Sequence, residues 1–138
     1  MAENLGERIQ LEAILGVLGA AAVVTRRLNR SLAEHVRERD GVAEIRTEDG
    51  RVARHFRIAQ GKIRSKRGPH PSPDYAMIYK DIPAALKVLK QGTEEASMKA
   101  MAEGEVRFDG DFTFGMWFNE LLQKVGALAT NPRRLLKR

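Results

Sequence analysis

Three histidines, His35, His55 and His70, are the side chains best suited to acid–base or metal chemistry in this sequence, and they are scattered. They fall on a predicted helix, a predicted strand and a proline-rich loop. No two stand at a spacing that serves one metal ion. Ser31, Ser65, Ser72 and Ser97 lack the context of a nucleophile elbow. No glycine-rich phosphate motif occurs. Asp109 and Asp111 flank Gly110, where a turn and a helix cap account for both carboxylates. The chain has no cysteine, which excludes a disulfide scaffold and thiol chemistry and fits a reducing cytoplasm. The expectation is therefore no catalytic residue, no cofactor and no metal.

What the sequence offers instead is apolar surface from several elements at once. Phe114, Trp117, Phe118, Leu121, Leu122, Val125 and Leu128 recur at helical spacing, and Phe112 and Met116 widen the stripe. Met98 and Met101 stand three apart on the helix before it, and thioethers adapt to irregular apolar guests. Such faces either pack a core or enclose something oily, and a pocket wall is also core. Burying an alkyl chain returns about 0.8 kcal/mol per methylene, so several methylenes give affinity without polar contact. The candidate lining residues are Ile78, Leu86, Leu89, Met98, Met101, Phe108, Phe114, Phe118, Leu121, Leu122 and Val125. Arg54, Arg57, Tyr79 and Gln123 are the candidates for orienting a polar head.

The elements that must position these residues follow in order. Leu11 to Val36 holds helical period; Gly16 and Gly19 weaken its first half and permit close approach, and a break near them would give two helices, the second over about 24–39. The alanine- and glycine-rich tract before that break is read as a contact for a partner subunit or an extension of a pocket lid. From Gly41 the period changes to two. Strands at 42–47 and 52–59 flank a Glu48-Asp49-Gly50 turn, and a third strand follows at 62–66, an antiparallel meander. Arg54 falls among the apolar set of the middle strand, at a margin or paired. Lys62, Arg64 and Lys66 alternate on the third strand and suit a protected edge. The prolines between Gly68 and Asp74 make a crossover loop. A strand at 75–80, helices at 82–90 and 94–102, a strand at 105–109 and a helix at 112–128 complete the chain. Asp81 and Asp111 are read as caps, and Gly92 as a helix stop.

The 138 residues suit one domain with a real core. The formal charge of +6 admits nucleic acid, anionic head groups or an acidic ligand as partners. A nucleic-acid-binding sheet needs exposed aromatics among its cations, and Phe56 is the meander's sole aromatic. That reading, and a structural or dimerisation domain with a filled core, stay as alternatives. The apolar run Leu11–Val24 is short for a membrane span and charges flank it, so association with a membrane surface is the weaker reading. Acidic Glu3 and Glu7 precede it where a signal peptide carries basic residues. A cytoplasmic protein is expected. The tail Arg133, Arg134, Leu135, Leu136, Lys137 and Arg138 suits a transient contact with an anionic membrane.

The ordered set Pro73-Asp74, a short helix from Ile82 ending at Gly92, a second short helix from Glu94 to Ala102, and Glu103-Gly104-Glu105-Val106-Arg107-Phe108-Asp109-Gly110-Asp111 before an apolar helix resembles the sterol carrier protein type 2 (SCP2-like) lipid-transfer domains. The upstream helix and meander fit that family's first half, so the resemblance covers about 24–125. It implies an α+β fold, a five-stranded mixed sheet covered by helices with an apolar tunnel between them. It also implies non-catalytic binding and transfer of a fatty acid, acyl-CoA, sterol or similar lipid, in some members as an accessory to enzymes. On this reading residues 1–23 are an N-terminal apolar extension, 24–128 the lipid-binding domain and 129–138 a basic tail. The extension, a tail without a peroxisomal address and the many aromatics of the last helix depart from the family pattern.

Overall fold

The computed structural model describes residues 5–129, and the basic tail lies outside them. The meander forms as the alternation predicts: β1 (Gly41–Thr47), β2 (Ala53–Ala59) and β3 (Lys62–Arg67) pair antiparallel. Asp49 fixes the first turn through one oxygen, accepting from the Thr47 hydroxyl at 2.7 Å and from the Arg51 N–H at 3.0 Å. Gly50 completes it at φ +75°, a conformation that excludes most side chains. The crossover loop then carries the chain to β4 (Tyr75–Tyr79), which pairs parallel to β1, and β5 (Val106–Gly110) pairs antiparallel to β4. The result is one mixed five-stranded sheet in the order β3-β2-β1-β4-β5. It is mixed because the β1-to-β4 connection is a crossover and every other pairing is antiparallel.

The helices begin and end where the capping residues put them. Asp81 accepts from the Ala84 N–H at 2.9 Å to start α3 (Ile82–Gln91), and Gly92 ends it at φ +63°. Thr93 caps α4 (Glu94–Ala102) through Ala96 N–H, and Asp111 caps α5 (Phe112–Ala129) through Phe114 N–H. The N-terminal helices differ from expectation. The helix α1 runs unbroken from Leu5 to Leu28, and the break falls at Asn29, whose side chain accepts from Leu32 N–H to cap α2 (Arg30–Val36). Gly16 and Gly19 do not interrupt α1. They let it approach the sheet, where a Cβ on Gly19 would collide with Ser65 and one on Gly16 would touch the Arg54 guanidinium. Arg54 is on the helix-covered face and donates to Ser65 Oγ at 2.8 Å, so it is paired rather than marginal.

Register divides the sheet into two unlike faces. Ala43, Ile45, Phe56, Ile58, Tyr75, Met77, Tyr79, Val106 and Phe108 share the face that α1 and α5 cover. Leu11, Leu15 and Ala22 of α1 join that core, as do Phe118, Leu121 and Val125 of α5. The other face carries Arg46, His55, Arg57, Arg64 and Lys66, with the crossover loop laid over its centre. Glu44 is buried there, accepting from His70 N–H at 2.7 Å and from Arg46 Nε at 3.2 Å. His55 and His70, distant in sequence, meet edge to face at 5.2 Å under the same loop. Among the described residues no group of three His, Asp or Glu is placed to hold a metal ion.

The two dipeptides farthest apart in the motif, Pro73-Asp74 and Gly110-Asp111, meet in space. The Asp74 carbonyl accepts from Asp111 N–H at 2.8 Å, and its carboxylate accepts from Val42 N–H at 2.8 Å. One residue therefore ties the ends of β1, β4 and β5. Gly110 sits at φ +99° directly over Asp74, and a Cβ there would run into the Asp74 carbonyl. Gly110→Ala is expected to cost about 2–4 kcal/mol, from strained backbone and a displaced hydrogen bond. Urea unfolding measures this, with Gly126→Ala as the control, because a Cβ at Gly126 meets nothing.

Candidate ligand-binding site

Strand β5 is an edge, and the ends of α4 and α5 stand beside it. Between them lies a groove of about 530 Å³. Its walls are Ile78, Met101, Val106, Phe108 and Phe112, and its rim carries Glu48, Lys80 and Arg107. Sequence places each of them. Gly104, at φ +74°, turns the chain out of α4 so that Met101 overlooks the start of β5. The Asp111 cap starts α5 one residue past β5 and leaves Phe112 projecting. Phe112 is 68% exposed and Met101 49%, with Met98 at 58% and Met116 at 59% one turn farther along their helices. Large side chains of this kind ordinarily bury themselves, and here four of them stand exposed around or beside a shallow, open cleft.

The inner wall is firm. Phe108 stacks on Tyr75 with ring centroids 5.9 Å apart, and Tyr75 is held by Gly115 of α5, where any Cβ would enter the Tyr75 ring. The Asn119 amide donates to the Tyr75 hydroxyl at 3.4 Å. Burial pushes the Tyr75 phenol up to about 12, against the smaller opposing effect of Asn119, and raises Tyr79 as well. Both phenols are thus held neutral in the fold above the ordinary value of 10.0. Their contribution is fully present below pH 10 and is lost as pH rises toward the folded values. Stability is expected to fall from about pH 10 upward. Tyr75→Phe should flatten that decline, as urea midpoints measured from pH 8 to 11 would register.

The polar rim is a fork-to-fork ion pair. Arg107 Nε and a terminal nitrogen donate to the two Glu48 oxygens at 3.2 and 3.0 Å. The Arg107 hydrogen bond holds the Glu48 carboxyl below its usual range, and the same bond raises Arg107. Both side chains remain half exposed. Lys80 adds a second cation to the rim. The groove therefore has apolar walls with a charged margin on one side.

The structure sorts the sequence-predicted lining residues into three places. Ile78, Met101 and Phe108 come together in the groove, Ile78 from the sheet face opposite Phe108 because the groove wraps the β5 edge. Leu86, Phe114, Phe118, Leu121 and Val125 are buried in the core, and Leu89 and Leu122 are packed partly buried against it. Met98 is exposed on α4. Phe118 touches Phe56 at 5.4 Å between centroids and stacks near Phe114 at 6.5 Å, so these rings occupy the gap between α5 and the sheet. Of the head-group candidates, Arg54 is engaged by Ser65, Arg57 is exposed on the far face, Tyr79 is buried and Gln123 is exposed on α5. Val106, Phe112, Lys80, Arg107 and Glu48 belong to the groove and were not among the candidates. Val106 was recoverable, since it alternates with Phe108 on one strand face.

No family model matches the sequence, and no curated protein is similar to it. Solved structures are similar in fold. The sterol carrier protein domain 2 of Helicoverpa armigera superposes with a TM-score of 0.59 at 15% identity, over 92% of this chain and 95% of that one. The UbiJ-SCP2 ubiquinone synthesis protein gives 0.57 at 11% identity, over 91% and 98%. A crystal structure of sterol carrier protein 2 gives 0.58 at 13% identity, over 83% and 95%. Identities this low leave the backbone arrangement as what is shared, and that arrangement is the SCP2-like fold.

Proposed function

We propose that the chain is a non-catalytic carrier that binds a hydrophobic ligand reversibly and passes it on. A fatty acid, an acyl-CoA, a sterol or a comparable lipid is the ligand class. The observation that carries this reading is the groove at β5, where Met101 and Phe112 stand exposed over an apolar floor. The alkyl part lies along Val106 and Phe108 beneath Met101 and Phe112, and an anionic head meets Lys80 at the rim, beside the Arg107–Glu48 pair. A long ligand would reach the space between α5 and the sheet only if the Phe114 and Phe118 rings that fill it turned aside. Binding follows from removing methylenes from water, so the site selects length and width more than functional groups. Exchange needs no covalent step. The protein is cytoplasmic on this reading and delivers its ligand to a membrane or to a partner enzyme.

A filled structural domain is the competing reading, favoured by the ring packing of Phe56, Phe114 and Phe118. Native mass spectrometry of freshly purified protein, followed by organic extraction, separates the two. The carrier reading expects a fraction of the protein to hold a lipid mass that extraction recovers. Protein that is ligand-free and takes up no added oleate supports the filled domain.

A further inference from the structure

One side of α1 is apolar and uncovered. Leu5, Ile9, Val17, Val24 and Leu28 are between 47% and 69% exposed, and the exposed Ala13 and Ala20 fall between them on the same side. The opposite side supplies Leu11, Leu15 and Ala22 to the core, so α1 is apolar on both. At 1.5 Å per residue the exposed stripe is about 35 Å long.

Its residue sizes read nearly the same from either end. Leu5 corresponds to Leu28, Ile9 to Val24, and Ala13 to Ala20, with Val17 at the centre. An isologous two-fold contact demands such self-correspondence, because each patch must fit a copy of itself. We infer that α1 is a homodimer interface in which two copies pack antiparallel about an axis near Val17. The small residues Ala13 and Ala20 then face one another and let the helices close on the central valines. Charge selects the antiparallel arrangement. Arg26 donates to the Gly61 carbonyl of its own chain at 2.7 Å, which leaves Arg27 as the exposed cation at the end of the stripe; Glu7 stands in the first turn, so antiparallel packing sets the basic end near the acidic one and aligns the helix dipoles oppositely. Arg8 is the cation at the acidic end, and it reaches the Arg51 carbonyl of its own chain at 3.4 Å. Parallel packing would set the two Arg27 side chains beside one another. By length and composition α1 could also cross a membrane, but Leu11, Leu15 and Ala22 are committed to the core, and a lipid surface would use the exposed stripe without regard to its symmetry.

The full chain has no cysteine, which permits a direct test. Single Cys variants at Val17, Ile9 and Val24 are oxidised with diamide at micromolar concentration. Val17→Cys is expected to become mostly disulfide-linked dimer. Ile9→Cys and Val24→Cys are each expected to stay near background alone and to cross-link when mixed with one another. Sedimentation of the unmodified chain should give a dimer, and Val17→Glu, exposed and so compatible with folding, should give a monomer with an unchanged circular dichroism spectrum. Equal cross-linking of all three single variants would overturn the proposal, as would a monomer at 200 micromolar. So would a monomer that pellets with phosphatidylcholine–phosphatidylglycerol vesicles, which would assign the stripe to membranes.

Discussion

The double variant Met101→Glu with Phe112→Glu is expected to lose at least about tenfold, and as much as about a thousandfold, in affinity for a fluorescent fatty acid, while its thermal midpoint moves by only a few degrees. Both side chains stand half or more exposed at the mouth of the β5 groove, so the fold loses little burial when they change. A bound alkyl chain would cover them, and covering a large apolar side chain is worth about 1.5–3 kcal/mol. Two carboxylates at the mouth also repel an anionic head that Lys80 would otherwise attract. The combination of lost binding and kept stability is diagnostic, because a core defect would move both. Fluorescence titration beside a melting curve reads the pair. Binding within threefold of the unmodified chain would remove the groove from the account.

Phe118→Ala is expected to have the largest effect on stability, about 3–5 kcal/mol by urea unfolding. Phe118 is 1% exposed, touches the Phe56 ring across the sheet and stacks near Phe114. Removing it leaves a cavity between α5 and the sheet that neither neighbour fills without turning its own ring. A domain of this size holds about 5–15 kcal/mol in total, so roughly a fifth or more of its stability rests on one side chain. Met116→Ala, on the same helix but 59% exposed, is expected to cost less than about 1 kcal/mol. A small effect at Phe118 would mean that the gap is already loosely packed, as a preformed tunnel requires.

Much of this architecture is written locally. Asp49-Gly50, Asp81, Gly92, Thr93 and Asp111 each act within a few residues of themselves, and their turns and caps form where the sequence places them. The α5 stripe announces its burial because one period runs through it. The ordered Pro73-Asp74 and Gly110-Asp111 pairs point to the SCP2-like arrangement, and their contact through the Asp74 carbonyl supplies the reason that spacing works. What sequence did not disclose depends on distant partners. Gly16 and Gly19 permit close approach, but what approaches them, Arg54 and Ser65, comes from distant strands. Glu44 looks solvated until the His70 loop covers it. The groove is the hardest case. Phe112 and Phe114 are two residues apart on one helix and so face opposite ways, and the position of the β5 edge decides what the exposed Phe112 stands beside.

The central claim is that the β5 groove receives an apolar ligand, and methyl NMR of the methionines tests it most directly. Met77 is buried in the sheet, Met98 and Met116 are exposed beside the groove, and Met101 lines it. On titration with oleate below its critical micelle concentration, the Met101 methyl signal is predicted to shift saturably and by the largest amount, with Met77 moving least. No saturable shift at any methionine, or a largest shift at Met77 with Met101 unmoved, would contradict the assignment.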